Sequence, residues 1–154
     1  DGAAAAKGTV HTDIVHSGNA LQDYLQRPTP KSLDRNAFAP FLDAVSELSV
    51  EDGAATLTAL TAHCVSAALT KLPVSPARWL VCGGGRKNPA MMSMLASALN
   101  APIEPLAVDG LDGDLLEAQA FAYLAVRSAR GLPLSFPRTT GCSHPVTGGR
   151  LSLP

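Results

Sequence analysis

The stretch that leaves this chain the fewest backbone choices is Arg78 to Pro89, RWLVCGGGRKNP. Trp79, Leu80, Val81 and Cys82 form an apolar run of strand length, made of side chains that suit a sheet. Gly83, Gly84 and Gly85 follow at once. Without Cβ atoms, their backbone can turn sharply and let a ligand come close. Asn88 is a strong N-cap and Pro89 fits a first helical turn. A helix starting there directs unpaired N–H groups and a partial positive charge back at the glycines. The segment therefore predicts a short buried strand, a glycine loop and a helix, an arrangement suited to hold a nucleotide through Gly83, Gly84, Gly85 and Asn88.

Patterns on either side place this unit in a mixed chain. Thr9 to His11 and Ile14 to His16 read as extended segments, and Leu21, Tyr24 and Leu25 as a short helix ended by Pro28 and Pro30. Phe38, Phe41, Leu42, Val45 and Leu48 recur at helical steps. Ser49 caps a further helix, with Glu51 and Asp52 in its first turn and Leu57, Leu60, Cys64 and Leu72 as its apolar stripe. Beyond the glycines, Met91, Met92, Leu95, Ala98 and Leu99 give the next helix an apolar face. Residues 103–108 read as a second strand weakened by Pro102 and Pro105. A turn, DGLDGD, then leads into a long helix whose core side is Leu116, Ala120, Phe121, Leu124 and Ala125, with Gly131 just past its end. Leu151 to Leu153 reads as a last short strand. Strands alternate with helices in the second half and helices dominate the first, so the expected class is α/β, a small mixed sheet flanked by helices in one domain over 1–154.

Composition excludes several functions. With 46% hydrophobic and 16% charged residues, the chain can bury a core. Twelve basic against 13 acidic residues, scattered, give no patch for nucleic acid. No apolar run reaches the roughly 18 residues of a membrane span, and DGA at the start resembles no secretory leader. Cys64, Cys82 and Cys142 are far apart and form no CxxC, as expected of reduced thiols in a cytoplasmic protein. His11, His16, His63 and His144 form no HxxxH pair, so no metal site is expected. The opening DGAAAAKG reads as the middle of a longer polypeptide.

The glycine loop is neither GxxxxGK[ST] nor GxGxxG, since residue 88 is Asn, and three glycines after a strand also make a plain tight turn. Arg86 and Lys87 lie within reach of phosphates bound there, or are solvated charges at a helix start. Asp109, Asp112 and Asp114 do not follow the calcium-loop spacing and read as an acidic turn with Gly113 or Asp114 as helix cap. Glu117 stands apart, in the first helical turn beyond the carboxyl end of a strand, where α/β folds hold ligands. There it could bind a sugar hydroxyl or orient a water; the plain alternative is complementation of the helix dipole. The loop PTPKS at 28–32 presents Lys31 and Ser32, or simply joins two helices.

Four segments in series resemble one family. CGGGRKNP over 82–89 is similar to the CGGGxxNP loop of the anhydro-N-acetylmuramic acid kinases, within the superfamily of sugar kinases, heat-shock-70 proteins and actin. Pro28 to Asn36 stands where that family has a PPPKSTGRE-like loop, and Gly110 to Ala125 matches its G-[IV]-DGD-xx-EA-x-AFA-x-LA stretch. Gly131-Leu132-Pro133, Pro137, Thr140-Gly141-Cys142 and the glycines at 148 and 149 match its ending. Leu33-Asp34 replaces the usual Thr-Gly, Asn36 an acidic residue, Arg86-Lys87 an Ala-His, and Cys142 an alanine.

The resemblance implies a ribonuclease H-like domain of the actin-like ATPase superfamily. It implies the C-terminal, nucleotide-side half of a two-domain kinase whose N-terminal half carries a GTSxDG phosphate loop and the general base. It implies ATP and Mg²⁺ as cofactors, with Gly83, Gly84, Gly85 and Asn88 lining ATP and Glu117 facing the sugar. The implied reaction opens the 1,6-anhydro bond of anhydro-N-acetylmuramic acid with water and phosphorylates O6, a step of cell-wall recycling in the cytoplasm. The implied partners are that sugar, the N-terminal domain of the same polypeptide and a second copy in a homodimer. This stretch alone is expected to be inactive. A kinase for another sugar, or a non-catalytic nucleotide-binding module, stays open as an alternative.

Overall fold

The computed structural model describes residues 1–108 and 111–152; of residues 19, 20 and 108 only the backbone is described. The first half is helical. Helix α1 (Thr12–Val15) is followed by α2 (Asn19–Gln26), then a 3-10 turn (Arg35–Phe38) running into α3 (Ala39–Val45). The extended segment expected at residues 14–16 is instead α1 and its cap. The turn is closed by Val15 N–H and His16 N–H donating to the His11 and Thr12 carbonyls, and it drives Val15 into the core.

Helix α4 (Val50–Ser66) is the central element, continued by a 3-10 turn (Ala67–Lys71). Ser49 caps it as the sequence implied, its Oγ accepting from the Asp52 N–H at 3.1 Å. Its buried positions are Gly53, Ala55, Thr56, Thr58, Leu60 and Ala62. Small residues dominate because α1, α3 and later α5 all pack on this helix, and side chains without bulk permit close approach. Leu72, expected in the apolar stripe, is 39% exposed because the 3-10 turn rotates it out of the helical register. The stretch Val50–Lys71 is long and apolar enough to cross a membrane by length and composition, which the sequence reading did not anticipate. Within the described residues α1, α3 and α5 pack against it.

The second half holds the sheet. Strand β1 (Trp79–Val81), the glycine loop with a 3-10 turn (Gly84–Lys87), α5 (Pro89–Leu99) and β2 (Ile103–Pro105) form one β–α–β unit. β1 and β2 pair in parallel, Trp79 opposite Ile103 and Val81 opposite Pro105. The expected strand over 103–108 is broken at Leu106, whose N–H donates to the Val81 carbonyl. Beyond it β3 (Ala107–Val108) pairs antiparallel with β4 (Leu111–Asp112). Then come α6 (Leu116–Ala129) and α7 (Pro137–Thr140), and Ser135 bridges to Val146. The fold is thus mixed α/β with a small parallel sheet and helices.

The described residues form two apolar cores. Val15, Leu21, Leu25, Phe41 and Leu60 make one; Ala62, Leu95 and Leu99, with Trp79, Val81, Met91 and Ile103 around them, make the other. Further expectations of burial fail. Leu80 in β1 is 40% exposed, so β1 is covered on one face only. Helix α6 has no buried residue, and Phe121 on its expected core side is 64% exposed. The described neighbours of α6 are β4 and the chain after 133, and the covered side of β1 is that of Trp79 and Val81, which pack into the second core. Ala98 on α5 is likewise exposed, the core side of α5 being carried by Leu95 and Leu99. Leu151 is 87% exposed and in no strand, and Leu153 lies outside the described residues.

Candidate functional site

The glycine loop leaves β1 at its carboxyl end. Gly83 has φ +73°, a left-handed conformation that favours glycine over any side chain. A Cβ placed on Gly83 or on Gly84 would meet no atom within 4 Å, so the space beside both is open. Gly85 differs. Its missing Cβ lies 3.1 Å from Met91 Sδ, so its smallness serves packing against α5. Asn88 caps α5 as expected, Oδ1 accepting from the Met91 N–H at 3.1 Å. The same carboxamide is covered by the backbone of Gly2, where a Cβ would collide with it. The N-terminal segment therefore seals one flank of the loop. The open flank at Gly83 and Gly84, with the α5 N-terminus behind it, fits the close approach of a nucleotide.

The turn 112–114 forms the wall opposite. Gly83 N–H donates to the Gly113 carbonyl at 3.0 Å, stitching the two loops together. Arg86 and Lys87, read from sequence as within reach of phosphates, are both engaged by Asp114. Arg86 Nη2 lies 2.7 Å from Asp114 Oδ2, and Lys87 Nζ lies 2.8 Å from Oδ1. Arg86 Nη1 also donates to the Gly83 carbonyl at 2.9 Å. Hydrogen bonds from Arg86 and then Lys87 hold the Asp114 carboxyl far below the usual carboxylate range, and Asp114 in turn raises the Arg86 guanidinium. Neither Gly113 nor Asp114 is the helix cap. Leu115 occupies that position without a side-chain cap bond, because Asp114 is turned to the glycine loop. Asp112 Oδ1 accepts from the Asp114 N–H at 2.8 Å and shapes the turn. Asp109 and Gly110 of the sequence motif lie outside the described residues.

Glu117 is exposed in the first turn of α6, one turn past Asp114. It has no ion pair or side-chain hydrogen bond among the described residues. Its carboxylate is therefore available to a ligand, while the plain role at a helix N-terminus also holds. Lys31 resolves in favour of structure. Its Nζ donates to the carbonyls of Tyr24 and Leu25 at 3.0 and 2.8 Å, closing the end of α2, and sits over the Tyr24 ring.

The fold also joins residues that the sequence kept apart. His16 and His63 pack edge to face with centroids 5.0 Å apart. His16 Nδ1 donates to the Thr12 carbonyl, and Gln22 Nε2 donates to His63 Nε2. Burial, then the neighbouring His16, pushes the His63 pKa down. Among the described residues no three His, Cys, Asp or Glu side chains gather as a metal site. What local sequence could not reveal was the Arg86–Asp114 pairing; the opposite charges at 86–87 and 112–114 were the only signal.

Comparison with known proteins gives the family. The sequence model of a family described as anhydro-N-acetylmuramic acid kinase matches residues 1–153. A curated protein of that description from Rhodospirillum rubrum is 52% identical over 154 residues, covering 97% of this chain and 39% of the relative. One from Roseobacter denitrificans is 52% identical over 154 residues, covering all of this chain and 41% of the relative. One from Zymomonas mobilis is 49% identical over 150 residues, covering 97% and 40%. The chain thus spans about two fifths of the length of the curated relatives it matches.

Proposed function

Since the chain belongs to the anhydro-N-acetylmuramic acid kinase family, we propose that it is the nucleotide-side part of a kinase that opens the 1,6-anhydro bond of anhydro-N-acetylmuramic acid with water and transfers the ATP γ-phosphoryl to O6. The product is N-acetylmuramic acid 6-phosphate, and the process is cytoplasmic cell-wall recycling. The observation that carries this reading is the open flank of Gly83 and Gly84 at the carboxyl end of β1, inside a chain matched by the family from end to end.

In this reading ATP supplies the phosphoryl group. Gly83 and Gly84 allow its adenosine side to approach the backbone, and Gly85 and Asn88 hold the loop on α5. The α5 N-terminus contributes a favourable dipole, its Met91 N–H being already capped by Asn88. Glu117 orients the sugar across the cleft by accepting hydrogen bonds from its hydroxyls. Asp114 is committed to Arg86 and Lys87 and so is not the carboxylate that would hold Mg²⁺. The general base that activates water belongs to the N-terminal half of the polypeptide, and closure of the two halves would exclude bulk water. The parallel β1–α5–β2 unit supports a ribonuclease H-like domain in which 1–154 forms one unit, and a homodimer is the assembly the family resemblance favours.

A coupled ADP-release assay on the full-length protein tests this, with anhydro-N-acetylmuramic acid against glucose and N-acetylglucosamine. Turnover on the anhydro sugar alone, lost in Glu117→Ala while nucleotide still binds, is the expected result. A folded protein that binds ATP but turns over none of the three sugars would overturn the assignment.

A further inference from the structure

We propose that Arg86 is a positioning residue, which with Asp114 clamps the glycine loop to the turn that starts α6 and so sets the nucleotide-binding and sugar-facing walls at one fixed distance. The proposal rests on the nucleotide reading above and deepens it. Arg86 looks from sequence like a phosphate ligand, but its geometry is that of a bolt. Its side chain is only 11% exposed although it carries a charge. One nitrogen of the guanidinium reaches the Gly83 carbonyl at 2.9 Å and another the Asp114 carboxylate at 2.7 Å. A planar fork can hold both ends at once, and a lysine ammonium matches that geometry poorly. Gly113 is buried beneath it, and a Cβ there would come within 2.9 Å of Arg86 Nε and 3.2 Å of Cζ. The glycine between two aspartates is thus the seat of the Arg86 side chain. Gly83 N–H to the Gly113 carbonyl closes the same junction from the other side. Lys87 also touches Asp114, but its side chain is 61% exposed and reaches no second anchor among the described residues. Because Glu117 lies in the α6 turn that follows Asp114, a shift of the clamp moves the nucleotide loop and the sugar carboxylate relative to each other.

The test uses the full-length protein with mant-ADP fluorescence titration and steady-state kinetics. Arg86→Ala and Asp114→Ala should each weaken mant-ADP binding about tenfold, the effect expected for loss of a charge-assisted bond. The double variant should be no weaker than either single one, since both remove the same contact. KM for ATP should rise more than kcat falls, and Arg86→Lys should not restore binding. The sign of Asp114→Ala is the discriminating result. If Arg86 were itself a phosphate ligand, removing a nearby carboxylate would leave binding unchanged or make it tighter, and that outcome overturns the clamp. Additive losses, or full rescue by Arg86→Lys, overturn it too. Should an alanine variant not fold, Asp114→Asn, which keeps shape and loses charge, gives the same comparison. A wild-type protein that binds no mant-ADP overturns the nucleotide reading together with the clamp; wild-type binding with unmoved variants overturns the clamp alone.

Discussion

Gly113→Ala is the smallest change that should damage the junction between the two walls. The added methyl would lie 2.9 Å from Arg86 Nε and 3.3 Å from the Leu106 carbonyl oxygen, where ordinary contact begins near 3.4 Å. The first neighbour is the root of a planar group held at both ends, and the second is backbone, so neither yields cheaply. Overpacking of this kind costs about 1–3 kcal/mol. Against it stands a gain of about 0.4–1 kcal/mol from a less flexible unfolded chain, available because Gly113 has no positive φ. The net expectation is a loss of about 1–2 kcal/mol, a fall of on the order of 4 °C in Tm for a domain of this size. Thermal unfolding of the full-length protein, followed by circular dichroism, measures it. The double variant Gly113→Ala/Arg86→Ala removes one of the two clashing groups, so the two losses should be sub-additive. A neutral or stabilised Gly113→Ala, or strictly additive losses in the double variant, would refute the seat assigned to Arg86.

Three further outcomes follow from other parts of the fold. Leu60→Ala empties the centre of the first core, where Leu60 is 4% exposed among Val15, Leu21, Leu25 and Phe41, and should cost about 2–5 kcal/mol by urea denaturation; a loss below 1 kcal/mol would contradict that packing. Asn88→Ala removes the cap on the Met91 N–H and should cost about 1 kcal/mol, with Asn88→Asp retaining most of the stability. Partial burial, and then the neighbouring His16, lower the folded pKa of His63 below its unfolded value of 6.5. The unfolded state then binds the proton first, and stability falls as pH drops through 6.5 toward the folded pKa. Tm should decline between pH 7.5 and about 5.5, and His63→Gln should flatten that decline over the same window.

Features bonded within about four residues were legible in the chain. Ser49 and Asn88 announced their helices because a cap is a contact between a residue and the N–H three places on. The glycine loop was legible for the same reason: strand, turn and cap lie side by side in twelve residues. The family resemblance rested on four such local segments, and the comparisons agree with it along 1–153. The tertiary structure decided which residues these segments meet. Arg86 and Asp114 are 28 positions apart, and nothing local distinguishes a phosphate ligand from a clamp; the choice depends on how β1 and β4 bring their loops together. His16 and His63 seemed unrelated until α1 packed on α4. Lys31 could be read from sequence as presented for binding or as part of a plain interhelix loop, and the end of α2 claims it. Burial was the least legible property. The apolar stripe of α6 is present in the sequence, but a stripe states only that a partner surface is favourable, and whether one lies against it is settled by the neighbouring layers of the fold.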